Sequence, residues 1–134
     1  MAVIPPPVPF RLEYTDRPGY LFVRVTGVNG SLETTVAYWL AIAAEVRARR
    51  PAQVMIKDDM LGEPPPPGEI QQFIAAMAGQ GFEGVRVAYV EADGDQLAQV
   101  EHGEIYAREQ GFDGRVFGSE LQAELWLRYG EAAE

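Results

Sequence analysis

The chain contains no cysteine, a single histidine (His102) and a single lysine (Lys57). Without cysteine there are no disulfides, no thiolate metal sites and no cysteine nucleophile. One histidine cannot build a multi-histidine metal centre, and no Ser-His-Asp order surrounds it. His102 is expected on a helix surface or packed at its edge. Cationic residues are scarce as a class: 11 Lys and Arg stand against 20 Asp and Glu, a formal net charge of -9. Nucleic-acid binding draws on clustered Lys and Arg that release counterions from phosphates. Anionic membrane surfaces make the same demand. The charge argues against both partners. No run of about 18 apolar residues is present, so no transmembrane helix is expected. Met1 to Phe10 has neither the basic segment nor the apolar core of a signal peptide, and a cytoplasmic protein is expected. Walker-type loops, a Gly-rich dinucleotide fingerprint after a strand, and internal repeats are also missing. No catalytic set, metal site or cofactor is expected from these residues.

What is there suits one globular domain. The length is 134 residues with 47% hydrophobic, enough for a single core. Residues 1–9 form a proline-rich tail, expected to lie extended along the surface. Residues 10–130 form the domain, and 131–134 an acidic tail. Phe10 to Tyr14 and Tyr20 to Thr26 alternate apolar and polar residues, which predicts a hairpin turned at Asp16-Arg17-Pro18-Gly19. Ser31 is an N-cap for a helix with Leu32, Val36, Trp39, Leu40, Ala43 and Val46 at helical spacing. Arg47, Arg49 and Arg50 complement its negative end. Val54 to Asp58 is a central strand that empties into a stiff acidic loop, Asp59 to Gly68. Pro64 to Pro67 are expected outside any helix. A helix from Glu69 carries the stripe Ile70, Phe73, Ile74 and Met77. Val85 to Val90 is the next strand. Asp93 caps a third helix, Gly94 to Gln110, with Leu97, Ala98, Ile105 and Ala107 as buried candidates and with Gly103 marking a break or close packing. Arg115 to Phe117 is a short last strand. Ser119-Glu120-Leu121-Gln122 fits a capping box for a final helix packed by Leu121, Leu125 and Trp126 or Leu127. Strands alternating with helices predict an α/β domain with a mostly parallel sheet.

The two sheet faces differ chemically. One carries Leu21, Val23, Val25, Val54, Ile56, Val85 and Val87. The other carries Phe22, Arg24, Met55, Lys57, Arg86 and Ala88. A sheet covered equally on both sides has near-continuously apolar strands, and this one does not. The second face is therefore expected to be partly open, with Phe22, Arg24, Met55 and Arg86 as a candidate interface. The proline-rich tail is the alternative cover.

The order of elements, the strand Val54 to Asp58 before its loop and helix, and the run Glu104-Ile105-Tyr106-Ala107-Arg108-Glu109-Gln110-Gly111-Phe112-Asp113-Gly114-Arg115-Val116-Phe117 followed by a capped helix ending Leu125-Trp126-Leu127 resemble the SpoIIAA-like branch of the STAS domains. Their fold is similar to that of CRAL–TRIO lipid-binding domains. The resemblance spans roughly residues 10–129. It implies a βα superhelix with five strands in chain order, one antiparallel edge strand and four helices. It also implies a non-enzymatic regulatory or protein-contact role, expected here as a homodimer. Kinship with CRAL–TRIO folds implies the alternative, a carrier or sensor of a small apolar or lipid-like molecule, which needs a cavity of about 300 Å³. STAS antagonists are switched by phosphorylating a serine after the central strand. No Ser or Thr occurs from Gln53 through Gly118, so that switch is excluded here. Asp58, Asp59 or Glu63 could imitate the phosphorylated state. That hypothesis fails if the double variant Asp58→Asn, Asp59→Asn leaves partner binding unchanged.

Ligands of open α/β sheets bind beyond the carboxyl ends of the strands. That rim collects Asn29, Gly30, Ser31, Lys57, Asp58, Asp59, Glu91, Asp93, Gly118 and Ser119. Its candidate ligand- or partner-binding residues are Ser31, Lys57, Asp58, Asp59, Glu63 and Ser119. The two serines either cap their helices or mark N-termini able to hold an anion. Asp58, Asp59 and Glu63 match no known metal-loop spacing, and Lys57 beside Asp58 is read as an ion pair or rim charge.

Overall fold

In the computed structural model the structure describes residues 10–29, 31–63 and 65–130, except the side chain of Gln99. The proline-rich and acidic tails lie outside the described residues. Five strands and four helices follow one another: β1 (Phe10–Arg17), β2 (Tyr20–Val28), α1 (Leu32–Arg49), β3 (Gln53–Leu61), α2 (Pro67–Met77), β4 (Arg86–Glu91), α3 (Gly94–Glu109), β5 (Asp113–Phe117) and α4 (Glu120–Tyr129). The sheet order is β1-β2-β3-β4-β5. Only β1 and β2 pair antiparallel; the other pairs are parallel.

This order places the layers. Each parallel crossover of one hand that steps the same way across the sheet leaves its helix on the same face. The larger core accordingly joins Leu21, Val23, Val25, Val54 and Ile56 to Tyr38, Ile42 and Val46 of α1 and Met77 of α2. α4 follows the last strand, has no further strand to reach, and folds onto the other face. There Ala123, Trp126 and Leu127 cover Tyr20, Phe22, Met55, Ala88 and Val90. Each fully buried aliphatic side chain contributes about 1.5–3 kcal/mol of transfer free energy. β2 and β3, apolar on both faces, are the chain's main reserve of stability.

Several expectations shift in position. α1 buries Thr35, Tyr38, Ile42, Ala43 and Val46, while Leu40 is exposed. The buried stripe is thus rotated toward Tyr38, whose ring packs against Phe10. β3 continues to Leu61, so Asp59 is strand and not loop. Pro67 is the first residue of α2, correcting the expectation that it lies outside a helix. At that position the missing N–H has no helical partner to lose and the fixed φ suits the helix. Gly103 marks close packing without a break: a Cβ there would lie 3.0 Å from Ile70 Cγ2. On α3, Ile105 is exposed. On α4, Leu121 and Leu125 are exposed and Ala123, Trp126 and Leu127 take the core positions.

Candidate functional site

The alternation that buries Val54 and Ile56 on the α1–α3 side also carries Asp58 to that side. The same alternation in β4 carries Val87, Tyr89 and Glu91 there. The register joins them, with Ile56 opposite Tyr89 and Asp58 opposite Glu91. Tyr89 donates its hydroxyl hydrogen bond to Asp58 Oδ2, and the Met60 N–H donates to Asp58 Oδ1 at 2.8 Å. Tyr38 of α1 lies beside Tyr89 in the same lining. Burial pushes both tyrosines above their ordinary range. Both hydroxyls are therefore protonated at neutral pH. Burial also raises the Asp58 carboxyl, against the lowering effect of those two hydrogen bonds.

These three residues form one end of a cavity of about 150 Å³ between the sheet and helices α2 and α3. Its walls are chiefly apolar: Ile70, Phe73 and Ile74 from α2, Val100 and Ala107 from α3, Val87 from β4. Trp39 forms the α1 side. Its ring lies 5.2 Å from Phe73, 5.5 Å from Phe82 and 5.8 Å from Tyr89, centre to centre. Asn29 and Thr35, also in the lining, satisfy one another: Asn29 Nδ2 donates to Thr35 Oγ1 at 3.0 Å and Thr35 Oγ1 donates to Asn29 Oδ1 at 3.2 Å. Toward β5, Glu104 accepts from the Val116 N–H at 2.8 Å and pairs with Arg115 at 3.7 Å. Glu91 lies buried beside Asp58, accepting from the Asp93 N–H at 3.0 Å. Its pKa is raised to about 7, first by burial and then by the negative charge of Asp58 and its neighbours.

The six rim residues separate. Asp58 alone of them lines the cavity. Lys57 and Asp59 point to the α4 side, as neighbours of Asp58 must. Lys57 Nζ donates to Glu120 Oε2 at 2.9 Å, and Asp59 accepts from Arg24 Nε at 2.7 Å. Lys57 beside Asp58 is therefore not an ion pair; its partner is Glu120. Glu63 is exposed in the connection to α2. Ser31 and Ser119 accept from the backbone N–H of Thr34 and Gln122, so both hydroxyls act as caps. The proposed interface also resolves differently. Phe22 and Met55 are buried, at 7% and 0% exposure, because α4 covers them. Arg86 stacks over Trp126, 4.7 Å from the ring centre, and pairs with Asp113. Arg24 remains half-exposed on its pair with Asp59. Asp58 and Asp59 lie on opposite faces of β3 and not at the start of α2, which removes the geometry expected of a phosphate mimic at a helix N-terminus.

Tyr38, Trp39, Phe73, Tyr89 and Glu104 are site residues that sequence reasoning passed over. Continuing the period of two from Val85 and Val87 by one more step would have reached Tyr89. Comparison with protein-family models and with curated proteins finds no match to this chain.

Proposed function

We propose that the protein is a small-molecule-binding domain whose site is the cavity under α2 and α3. One observation carries this reading: a largely apolar cavity with a hydrogen-bonded Asp58–Tyr89 pair, and Tyr38 beside it, at one end. Binding sites are typically apolar concavities with a few placed polar groups. The volume falls short of the about 300 Å³ expected for a lipid-sized ligand. It matches the about 150 Å³ at which an apolar cavity accepts a benzene-sized molecule. The reading is thus a sensor or carrier of ring-sized molecules. Titrating the protein with toluene is expected to shift the methyl NMR signals of Ile70, Ile74, Val87 and Val100. Ala107→Phe, which fills the cavity, is expected to abolish those shifts with the fold retained. Shifts that survive the filling would refute the reading.

The STAS-like relationship is supported by the strand order and by the single-sided placement of α1 to α3. A contact role of that kind has one specific feature in its favour. Leu121, Leu125 and Tyr129 are exposed at 65%, 47% and 76% and recur every fourth residue on α4. Such a stripe, centred on Leu125, is self-complementary across a two-fold axis, as a homodimer requires. Sedimentation of Leu125→Asp against the parent chain tests it: equal mass in both would remove the dimer.

A further inference from the structure

Several carboxylates in this fold are matched to a cation, and most of the others are exposed. Asp59 has Arg24, Asp113 has Arg86, and Glu120 has both Lys57 and Arg17. Asp58 and Glu91 differ. They sit beside one another at the carboxyl ends of β3 and β4, Glu91 buried, and among the described residues neither pairs with an arginine or lysine. A buried anion without a positive partner is costly. Here that cost falls where an open cavity meets the only carboxylate of the pair that lines it.

Two hydroxyl protons at that end are already committed. Tyr89 donates to Asp58. Thr35 donates to Asn29. Asp58 accepts one bond at each oxygen and keeps spare lone pairs, since a carboxylate has about four acceptor positions. What this end can still offer a ligand is chiefly acceptor capacity and negative charge, with the second N–H of the Asn29 amide beside them. A carboxylate or phosphate ligand would meet Asp58 with Glu91 and Asp59 behind it. A metal ion is not matched either: among the described residues no three Asp, Glu or His side chains converge on one point. The remaining walls are chiefly aromatic and aliphatic and suit an organic body; Arg115 and Glu104, also in the lining, pair with one another toward β5.

We propose, resting on the reading of the cavity as a small-molecule site, that its ligand class is a compact aromatic or aliphatic primary amine, with the ammonium group seated on Asp58 and the apolar body between Trp39, Phe73 and Val100. A charge-assisted hydrogen bond is worth about 1.5–3 kcal/mol, roughly tenfold or more in affinity over an uncharged analogue of the same shape.

Four probes of one size separate the possibilities: benzylamine, benzyl alcohol, toluene and benzoate, each titrated into the full chain by NMR at neutral pH. Benzylamine is expected to bind about tenfold or more tighter than benzyl alcohol and toluene, and benzoate weakest of all. Asp58→Asn is expected to bring benzylamine level with benzyl alcohol while leaving toluene unchanged. Tyr89→Phe keeps the charge of Asp58 and is expected to keep the preference for the amine. This second variant, with the four-probe ranking in the parent chain, decides the matter if Asp58→Asn does not fold. Benzoate or toluene binding as tightly as benzylamine would overturn the amine assignment and leave the cavity reading standing. Failure of all four to bind the folded protein would overturn both.

Discussion

At position 91 a carboxylate is closed off from water at the end of β4, and the consequence for pH follows from its sign. Its folded pKa, about 7, lies above the ordinary 4.5. Between those two values the native state holds a proton that the unfolded chain has released. Stability therefore falls as pH rises through that window and levels off above pH about 7. Asp58 is shifted in the same direction and adds to the slope. Glu91→Gln keeps an oxygen to accept from the Asp93 N–H and removes the charge. Urea melts of this variant are expected to show a flatter pH dependence and a gain of about 1–3 kcal/mol over the parent at pH 8. An unchanged slope would place the buried proton elsewhere. Gly62 makes a second residue-scale prediction. Its φ is +97°, and a Cβ would fall 2.2 Å from the Asn29 carbonyl oxygen. Gly62→Ala is expected to cost about 2 kcal/mol or more, since both backbone strain and a rigid clash oppose it.

At the scale of elements, α4 divides sharply between a buried and an exposed side. Trp126 is buried against Phe117 and Arg86, so Trp126→Ala is expected to cost about 3–5 kcal/mol. Gln122→Ala, on the outer side and outside the Leu121–Leu125–Tyr129 stripe, is expected within about 0.5 kcal/mol of the parent. Thermal or urea melts of the pair decide it, and similar losses in both would contradict the orientation of the helix. This helix also shows where sequence reading works and where it stops. Caps were legible, because Ser119, Ser31 and Asp93 bond to backbone a few residues ahead and need no tertiary partner. Strand alternation was legible for the same reason, and it sorted Val54 from Met55 correctly. Helix faces were read less well. In α4 apolar residues run at 121, 123, 125, 126 and 127, so several faces are apolar and only the sheet beneath selects Ala123, Trp126 and Leu127. Likewise Tyr38 outcompetes Leu40 because Phe10 and the Tyr89 hydroxyl lie over it, and neither neighbour is close in sequence. The site was legible only through its rim residues Asn29, Asp58 and Glu91. Its cavity arises where α2 and α3 meet over β4, a property of three distant segments, and no local pattern encodes a gap between them.

For the molecule as a whole, the two sides of the sheet are built to different densities. β2 and β3 run through both cores with residues such as Val23, Val54, Met55 and Ile56 at 0% exposure. α3, by contrast, has no fully buried side chain among its described residues and covers the cavity. Regions with few buried contacts open locally at lower free energy than the core. Hydrogen exchange is expected to be fast for α3 amides and to approach the global unfolding limit only for β2 and β3. Uniform protection across all elements would refute that gradient.

The chain's two tryptophans stand on opposite sides of the sheet, Trp39 in the cavity wall and Trp126 under α4. They amount to two built-in optical probes with separate assignments. With Trp126 replaced by Phe, the emission of Trp39 would report on the cavity alone, quenched or shifted by whatever enters beside Tyr89. With Trp39 replaced by Phe, the emission of Trp126 would follow the release of the last helix. A titration that moves the first signal and leaves the second still would locate binding to one face of the sheet without any label.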